Sequence, residues 1–91
     1  MYRREAVVEW SHNDDWTLWE AYFDNPHSPG DVKQIAAIEK LECDGSTPLS
    51  LTPWLVIYGP RFSKDCRFPT LGHAKSWVND HRYPLWEGNL K

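Results

Sequence analysis

No stretch of this sequence is long and apolar enough to cross a bilayer. The longest unbroken apolar run, Trp54-Leu55-Val56-Ile57-Tyr58, is five residues, against the roughly 20 that a spanning helix needs. Behind Met1-Tyr2-Arg3-Arg4-Glu5 there is no apolar segment of secretory-leader length, so the expected compartment is the cytoplasm and no membrane partner is expected. Cysteine is scarce: Cys43 and Cys66, with 22 residues between them, do not make the disulfide framework of a small secreted domain, and two free thiols are expected. Close ligand pairs of the C-x2-4-C or H-x3-5-H kind are absent. The widest metal set on offer, Cys43, Cys66, His73 and His81, is too dispersed for a structural zinc, so neither metal nor cofactor is expected. There is no glycine-rich phosphate loop, no nucleophile elbow and no internal repeat. His12 beside Asp14 and Asp15, or Cys66 with His73, come without an orienting motif. Acids and amides in a short loop are ordinary turn chemistry, and a catalytic pocket is hard to build in so small a domain. Enzymatic activity is not expected.

Charge of one sign is also missing in the amount that two function classes require. The formal net charge is −3. That is far too little for mimicry of a phosphate lattice, although Glu5, Glu9, Asp14, Asp15, Glu20 and Asp24 crowd the first hairpin. It is also the wrong sign for a protein built around nucleic acid. The distribution is lopsided: residues 1–45 carry four Lys/Arg against ten Asp/Glu, and residues 46–91 carry six against three. Either the chain presents a dipole that steers a protein partner, or folding mixes the two halves in space.

What the chain has in abundance is aromatic surface: six Trp, four Tyr and three Phe in 91 residues. One domain of this size, residues 1–91, buries only about 60–65% of its unfolded surface. Either the core is unusually aromatic or part of the set is displayed. Trp is at home in both places, as a large apolar plate whose single N–H seeks a partner when buried.

Glycines and prolines cut the chain into short elements. Glu5–Trp10 is strand-like; Ser11–Asp15 reads as a loop. Trp16–Phe23 reads as a central strand, with Trp16, Leu18, Glu20 and Tyr22 on one face and Thr17, Trp19, Ala21 and Phe23 on the other. Residues 28–42 support two readings. Ser28-Pro29-Gly30-Asp31 looks like a helix start and the following composition favours helix, yet Val32, Ile35, Ala36, Ala37, Ile38 and Leu41 form no tight helical stripe. A third strand after a Pro-Gly turn is the favoured alternative. Trp54–Tyr58 is a buried strand and Asp65–Phe68 an edge strand. Thr70 caps a helix to about His81, with Leu71, Ala74, Trp77, Val78 and His81 clustered on one side and Trp77 at the margin of the contact. Pro84–Lys91 reads as an irregular tail that folds Leu85 and Trp86 back onto the body. The expected fold is α+β: an antiparallel meander of three or four strands packed by the C-terminal helix 70–81, with 28–42 a strand or a second helix.

In outline, Trp54–Tyr58 and its turn, then Arg67-Phe68-Pro69-Thr70-Leu71 leading into Ala74-Lys75-Ser76-Trp77-Val78, resemble small orphan domains common in phages and prophages, over about residues 54–80. Those domains look like short meanders closed by one helix. The resemblance implies a mobile-element origin and a working place in the host cytoplasm but no activity of its own; domains of that sort often bind and disable a host protein, in the anti-defence or host-takeover manner, which favours a binding role.

Two function classes remain. In a protein-binding domain, Trp19, Tyr22 and Phe23 would be the anchors and Asp14, Asp15 and Glu20 the acidic rim. Trp19 and Phe23 would be exposed only if nothing covers their face of the sheet. In a single-stranded nucleic-acid binder, Arg61, Phe62, Lys64, Arg67 and Phe68 would supply phosphate contacts and stacking. The bland alternative for that segment is an edge strand whose cations discourage pairing. A homodimer joined through its acidic and basic halves is a third arrangement.

Overall fold

β-Branched and aromatic residues are concentrated in Trp54–Tyr58 and, less densely, in Leu18–Asp24, and turn residues separate the segments, so the chain folds as successive hairpins. The structure is a computed structural model that describes residues 7–24, 26, 30–41 and 51–88. Its strands are β1 (Glu9–His12), β2 (Leu18–Asp24), β3 (Val32–Lys40), β4 (Trp54–Tyr58) and β5 (Lys64–Phe68). They pair antiparallel in the order β1-β2-β3-β4-β5, an uninterrupted meander. Two helices follow, α1 (Leu71–Asp80) and α2 (Arg82–Glu87), and a single 3-10 turn at Pro60–Phe62 joins β4 to β5. The class is α+β, as expected, with five strands because 64–68 pairs along the whole of β4.

Segment 32–40 is a strand, and its misleading pattern has a local cause. Ala21 lies opposite Ala36 whereas Tyr22 lies opposite Gln34, which leaves Ile35 as an extra residue on β3. At such a bulge two consecutive side chains can turn to the same side. Ile35 and Ala36 are accordingly both buried, as is Ile38. The bulge breaks the two-residue period that would otherwise identify a strand. Of the helix-like start, Ser28 and Pro29 lie outside the described residues. Gly30 adopts φ +86, a left-handed conformation that glycine takes without steric cost, and its N–H donates to the Asp24 carboxylate at 3.2 Å. It closes a turn between β2 and β3.

The core forms on one face of this sheet. Trp19, Ala21 and Phe23 of β2, Ile35, Ala36 and Ile38 of β3, and Val56 and Tyr58 of β4 are buried there beneath Ala74 and Val78 of α1 and Leu85 of α2. Ala74 and Val78 are four apart, so they share the inward stripe. Thr70 caps α1 as its sequence indicates: the hydroxyl accepts the His73 backbone N–H at 3.1 Å. Trp77 borders the contact, with Tyr58 at 4.9 Å and Phe68 at 5.9 Å between ring centroids.

The tail is not irregular; residues 82–87 form α2. Pro84 obscured it in the sequence, because proline usually ends helices. Here it lies in the first turn, where its missing N–H has no intrahelical partner to lose. Gly88, at φ +76, caps the other end. Tyr83 meets Phe23 edge to face at 5.2 Å, and the Trp86 indole N–H donates to the Asp31 carbonyl at 3.0 Å. The Lys33 ammonium lies 4.0 Å from the centre of the Trp86 ring. This helix, rather than one in 28–42, completes the cover over β2 and β3.

Phe23 is fully buried, so Phe23→Ala should cost about 3–5 kcal/mol, seen as a lower urea midpoint. Thr70→Ala, which removes the cap and the exposed contact of the same hydroxyl with the His73 ring, should cost about 1 kcal/mol by the same measurement.

Candidate functional site: the open face of the sheet

Side chains alternate along a strand, so a meander with helices on one side has a second face to account for. Among the described residues, no helix or strand covers it. The register places Glu9, Tyr22 and Gln34 in one row across this face, then Ser11, Glu20, Ala37, Ile57 and Asp65, then Leu18, Glu39, Leu55 and Arg67. Leu18 is 39% exposed and Val32 52%. Tyr22, Ala37, Leu55 and Ile57 are half-buried against their own neighbours in the sheet.

The same alternation sorts the charges. Glu9, Glu20, Asp24, Glu39 and Asp65 fall on the open face, accompanied by Arg67. Lys33, Lys40 and Lys64 fall on the other side, which α1 joins with Lys75. Three of these amines lie against indole rings, where the ring quadrupole attracts a cation. Lys33 lies on Trp86 at 4.0 Å, Lys40 on Trp54 at 5.8 Å, and Lys75 on Trp19 at 3.5 Å and Trp10 at 5.3 Å. Partial burial in that cluster pushes the Lys75 amine below its ordinary pKa. The acidic and basic halves of the sequence therefore do mix in space, and charge segregates instead by face of the sheet.

Ala37 is the small residue at the middle of the open face. Ile57 and Glu20 are its neighbours across the ladder, Glu39 follows it along β3, and Leu18, Leu55 and Tyr22 flank it diagonally. The register thus surrounds one methyl group with larger side chains, a dish in the order of side-chain sizes, with the carboxylates of Glu20 and Glu39 at its rim. The Tyr22 hydroxyl donates to the Glu20 carboxylate at 3.3 Å. Desolvation, then the Glu20 charge, hold the phenol above its usual pKa. Arg67 is anchored by donating from Nε to the Thr52 carbonyl at 3.0 Å.

The expected binding residues divide between several places. Tyr22 and Glu20 are on the open face. Trp19, 8% exposed, and Phe23, fully buried, are core residues beneath the helices, so they present no surface to a partner. A Trp19→Ala variant would report on folding first. Asp14 and Asp15 lie exposed in the β1–β2 turn, away from the dish. That turn is held by Asn13, whose amide oxygen accepts the N–H groups of Thr17 and Leu18 at 2.9 and 3.1 Å, and whose amide nitrogen donates to the Thr17 hydroxyl at 3.0 Å. The turn keeps Trp16 at φ +60, more than half exposed, with its ring stacked 3.6 Å from His12. Leu18, Ala37, Glu39, Leu55 and Ile57 share this face and are not among the site residues that the sequence singles out. Their signal was present, because each alternates with a core position, but it becomes readable only once the covered face is known.

The nucleic-acid set does not share one surface. Arg61 and Phe62 occupy the 3-10 turn, Phe62 41% exposed. Phe68 packs against the core side and Lys64 shares that side, whereas Arg67 points to the open face. The two helix histidines are also separate: His73 meets the Thr70 hydroxyl at 2.8 Å, and His81 bonds through Nδ1 to the Trp77 carbonyl at 2.7 Å. Cys66 is a free thiol on the core side of β5; Cys43 lies outside the described residues. Among the described residues no three His, Cys, Asp or Glu side chains cluster as metal ligands, and no helix is long and apolar enough to cross a membrane. Comparison with protein-family models, with curated proteins and with solved structures finds no match to this chain.

Burial, then the Asp65 charge beside it, push the Cys66 thiol up to about 11. The thiolate is the reacting form, so at pH 8 iodoacetamide should alkylate Cys66 roughly a hundredfold more slowly in the native protein than after unfolding. Peptide mapping by mass spectrometry reads this site separately from Cys43. Equal rates would show that the thiol is not shielded.

Proposed function

We propose that this chain is a non-catalytic protein-binding domain that receives its partner on the open face of the sheet. One observation carries the reading: a five-stranded sheet with helices on one side keeps, on the other, an apolar centre bordered by carboxylates. Apolar centres with polar rims are how protein interfaces are built, and a half-buried Tyr with aliphatic neighbours is the kind of anchor around which binding energy concentrates. Tyr22 and Glu20 keep the roles their sequence suggests, Ile57 and Leu18 replace Trp19 and Phe23 as anchors, and Glu39 joins the rim. The effect on the partner is steric: a domain of this size occludes whatever surface it covers, which is the action expected of an inhibitor.

A second copy of the chain is disfavoured as the occupant. Two such faces brought together would oppose like charges, and that costs association free energy.

The test is capture from nuclease-treated lysate on immobilised protein, comparing the unaltered chain with a Tyr22→Ala, Ile57→Ser double variant. Both positions are on the sheet surface, so circular dichroism and the urea midpoint should show a folded variant. A protein retained by the unaltered chain near one-to-one and lost by the variant is the expected result. Retention equal in the two, or retention that requires intact nucleic acid, would overturn the reading.

A further inference from the structure

The open face carries its own specification of what fits it. We infer that its occupant is a cationic amphipathic helix, one that seats an apolar side chain over Ala37 and places Lys or Arg against Glu20 and Glu39. This rests on the protein-binding reading above and gives it a chemistry.

Three features combine to require such a ligand. The first is shape. The dish is one residue wide, with only a methyl group at its floor and Ile57, Leu55, Leu18 and Tyr22 around it. Strands lie about 4.8 Å apart, and same-face residues along a strand about 6.8 Å apart. At that spacing the position over Ala37 has room for a single projecting side chain, such as a Leu on a helix ridge. The second is layer geometry. A sheet with helices on one side completes a three-layer sandwich when a helix packs on the other at about 10 Å, the arrangement that buries an apolar sheet face. An added strand would pair at an edge of the sheet and leave the dish empty.

The third is charge. Glu20 is beside Ala37 across the ladder and Glu39 is the next residue on the same side of β3. Both carboxylates therefore border the seat itself, and Glu9, Asp24 and Asp65 extend the field of the same sign. Of the strand cations, Lys33, Lys40 and Lys64 are on the far side, the first two against indole rings, and Arg67 is on the open face, two strands away from Glu39 and beyond Leu55. A helix with an apolar stripe flanked by Lys and Arg matches both parts of the pattern. An acidic helix with the same stripe matches one part and is repelled by the other, which is how charge arrangement rejects wrong partners.

The experiment titrates the 15N-labelled full chain with three helical peptides of about 18 residues, roughly five turns. The first carries Leu at helical spacing flanked by Lys; the second replaces each Lys by Glu; the third keeps Lys and replaces each Leu by Ser. The expected result is that the Leu/Lys peptide shifts the Tyr22, Ala37 and Ile57 amides. Its saturable affinity should be at least about tenfold above that of either other peptide, and a Glu20→Lys, Glu39→Lys variant should lower it by about tenfold or more. Ala37→Trp, which fills the dish and leaves the carboxylates in place, should abolish the same shifts while circular dichroism remains unchanged. Equal binding of the Leu/Glu peptide, shifts mapping to α1, α2 or the β1–β2 turn, or indifference to the charge reversal would each overturn the inference. So would a homodimer that Ile57→Ser dissociates in sedimentation, because it would give the face to a second copy.

Failure of this inference and of the broader reading are separable in the lysate experiment. Capture lost with Tyr22→Ala, Ile57→Ser but kept with Glu20→Lys, Glu39→Lys would preserve protein binding and overturn the cationic partner. Capture lost by neither variant would overturn both.

Discussion

The pairing of β2 with β3 decides the sidedness of everything else. These are the longest strands, and β3 contributes Ile35, Ala36 and Ile38 to the floor of the core because the bulge turns two neighbouring residues inward. One residue of slippage would exchange the faces, putting Trp19, Ala21 and Phe23 in water and Leu18, Glu20 and Tyr22 under the helices. The carboxylate of Glu20 cannot be left unpaired in an apolar core without a large desolvation penalty. Phe23 and Ile38 in turn gain from full burial. The register is thus held by the cost of the alternative as much as by the ladder hydrogen bonds.

The aromatic abundance resolves mostly into a core and its margin. Trp19 and Phe23 are buried and Trp10, Trp54, Trp77 and Trp86 pack partly around them. A small domain with little interior uses large flat residues at the boundary, where one face of the ring can exclude water and the other can meet a lysine. Lys33, Lys40 and Lys75 do this, and their apolar stems extend the cover. Trp16 differs, being displayed by a turn in which Asn13 satisfies the backbone. The strained left-handed conformation of so bulky a residue persists because several hydrogen bonds and the His12 stack fix it at once.

Much of the fold was legible one element at a time. Trp54–Tyr58 had the composition of a buried strand, and Thr70 followed by Leu71, Ala74 and Val78 marked a capped helix whose inward stripe is the observed one. Two elements were harder for identifiable reasons. The bulge at Ile35 disrupted the alternation of β3, and Pro84 disguised α2 as a tail. The candidate site was half legible: Tyr22 and Glu20 lie where a displayed pair should, and Trp19 and Phe23 do not. Both of the latter belong to a strand that is largely apolar on both sides, where only the carboxylates of Glu20 and Asp24 mark one side as the outer one.

The sequence by itself determined the class of the fold, the positions of most strands and the capped helix, because these follow from local composition and turn chemistry. Only the tertiary structure decided which side of the sheet is core and which is surface. That choice depends on where α1 and α2 land, on contacts between residues as distant in the chain as Asp31 and Trp86. Once the helices covered Trp19 and Phe23, alternation delivered Glu20, Tyr22, Ala37 and Ile57 together to the other side, from three strands whose meander the sequence suggests but whose register it does not give.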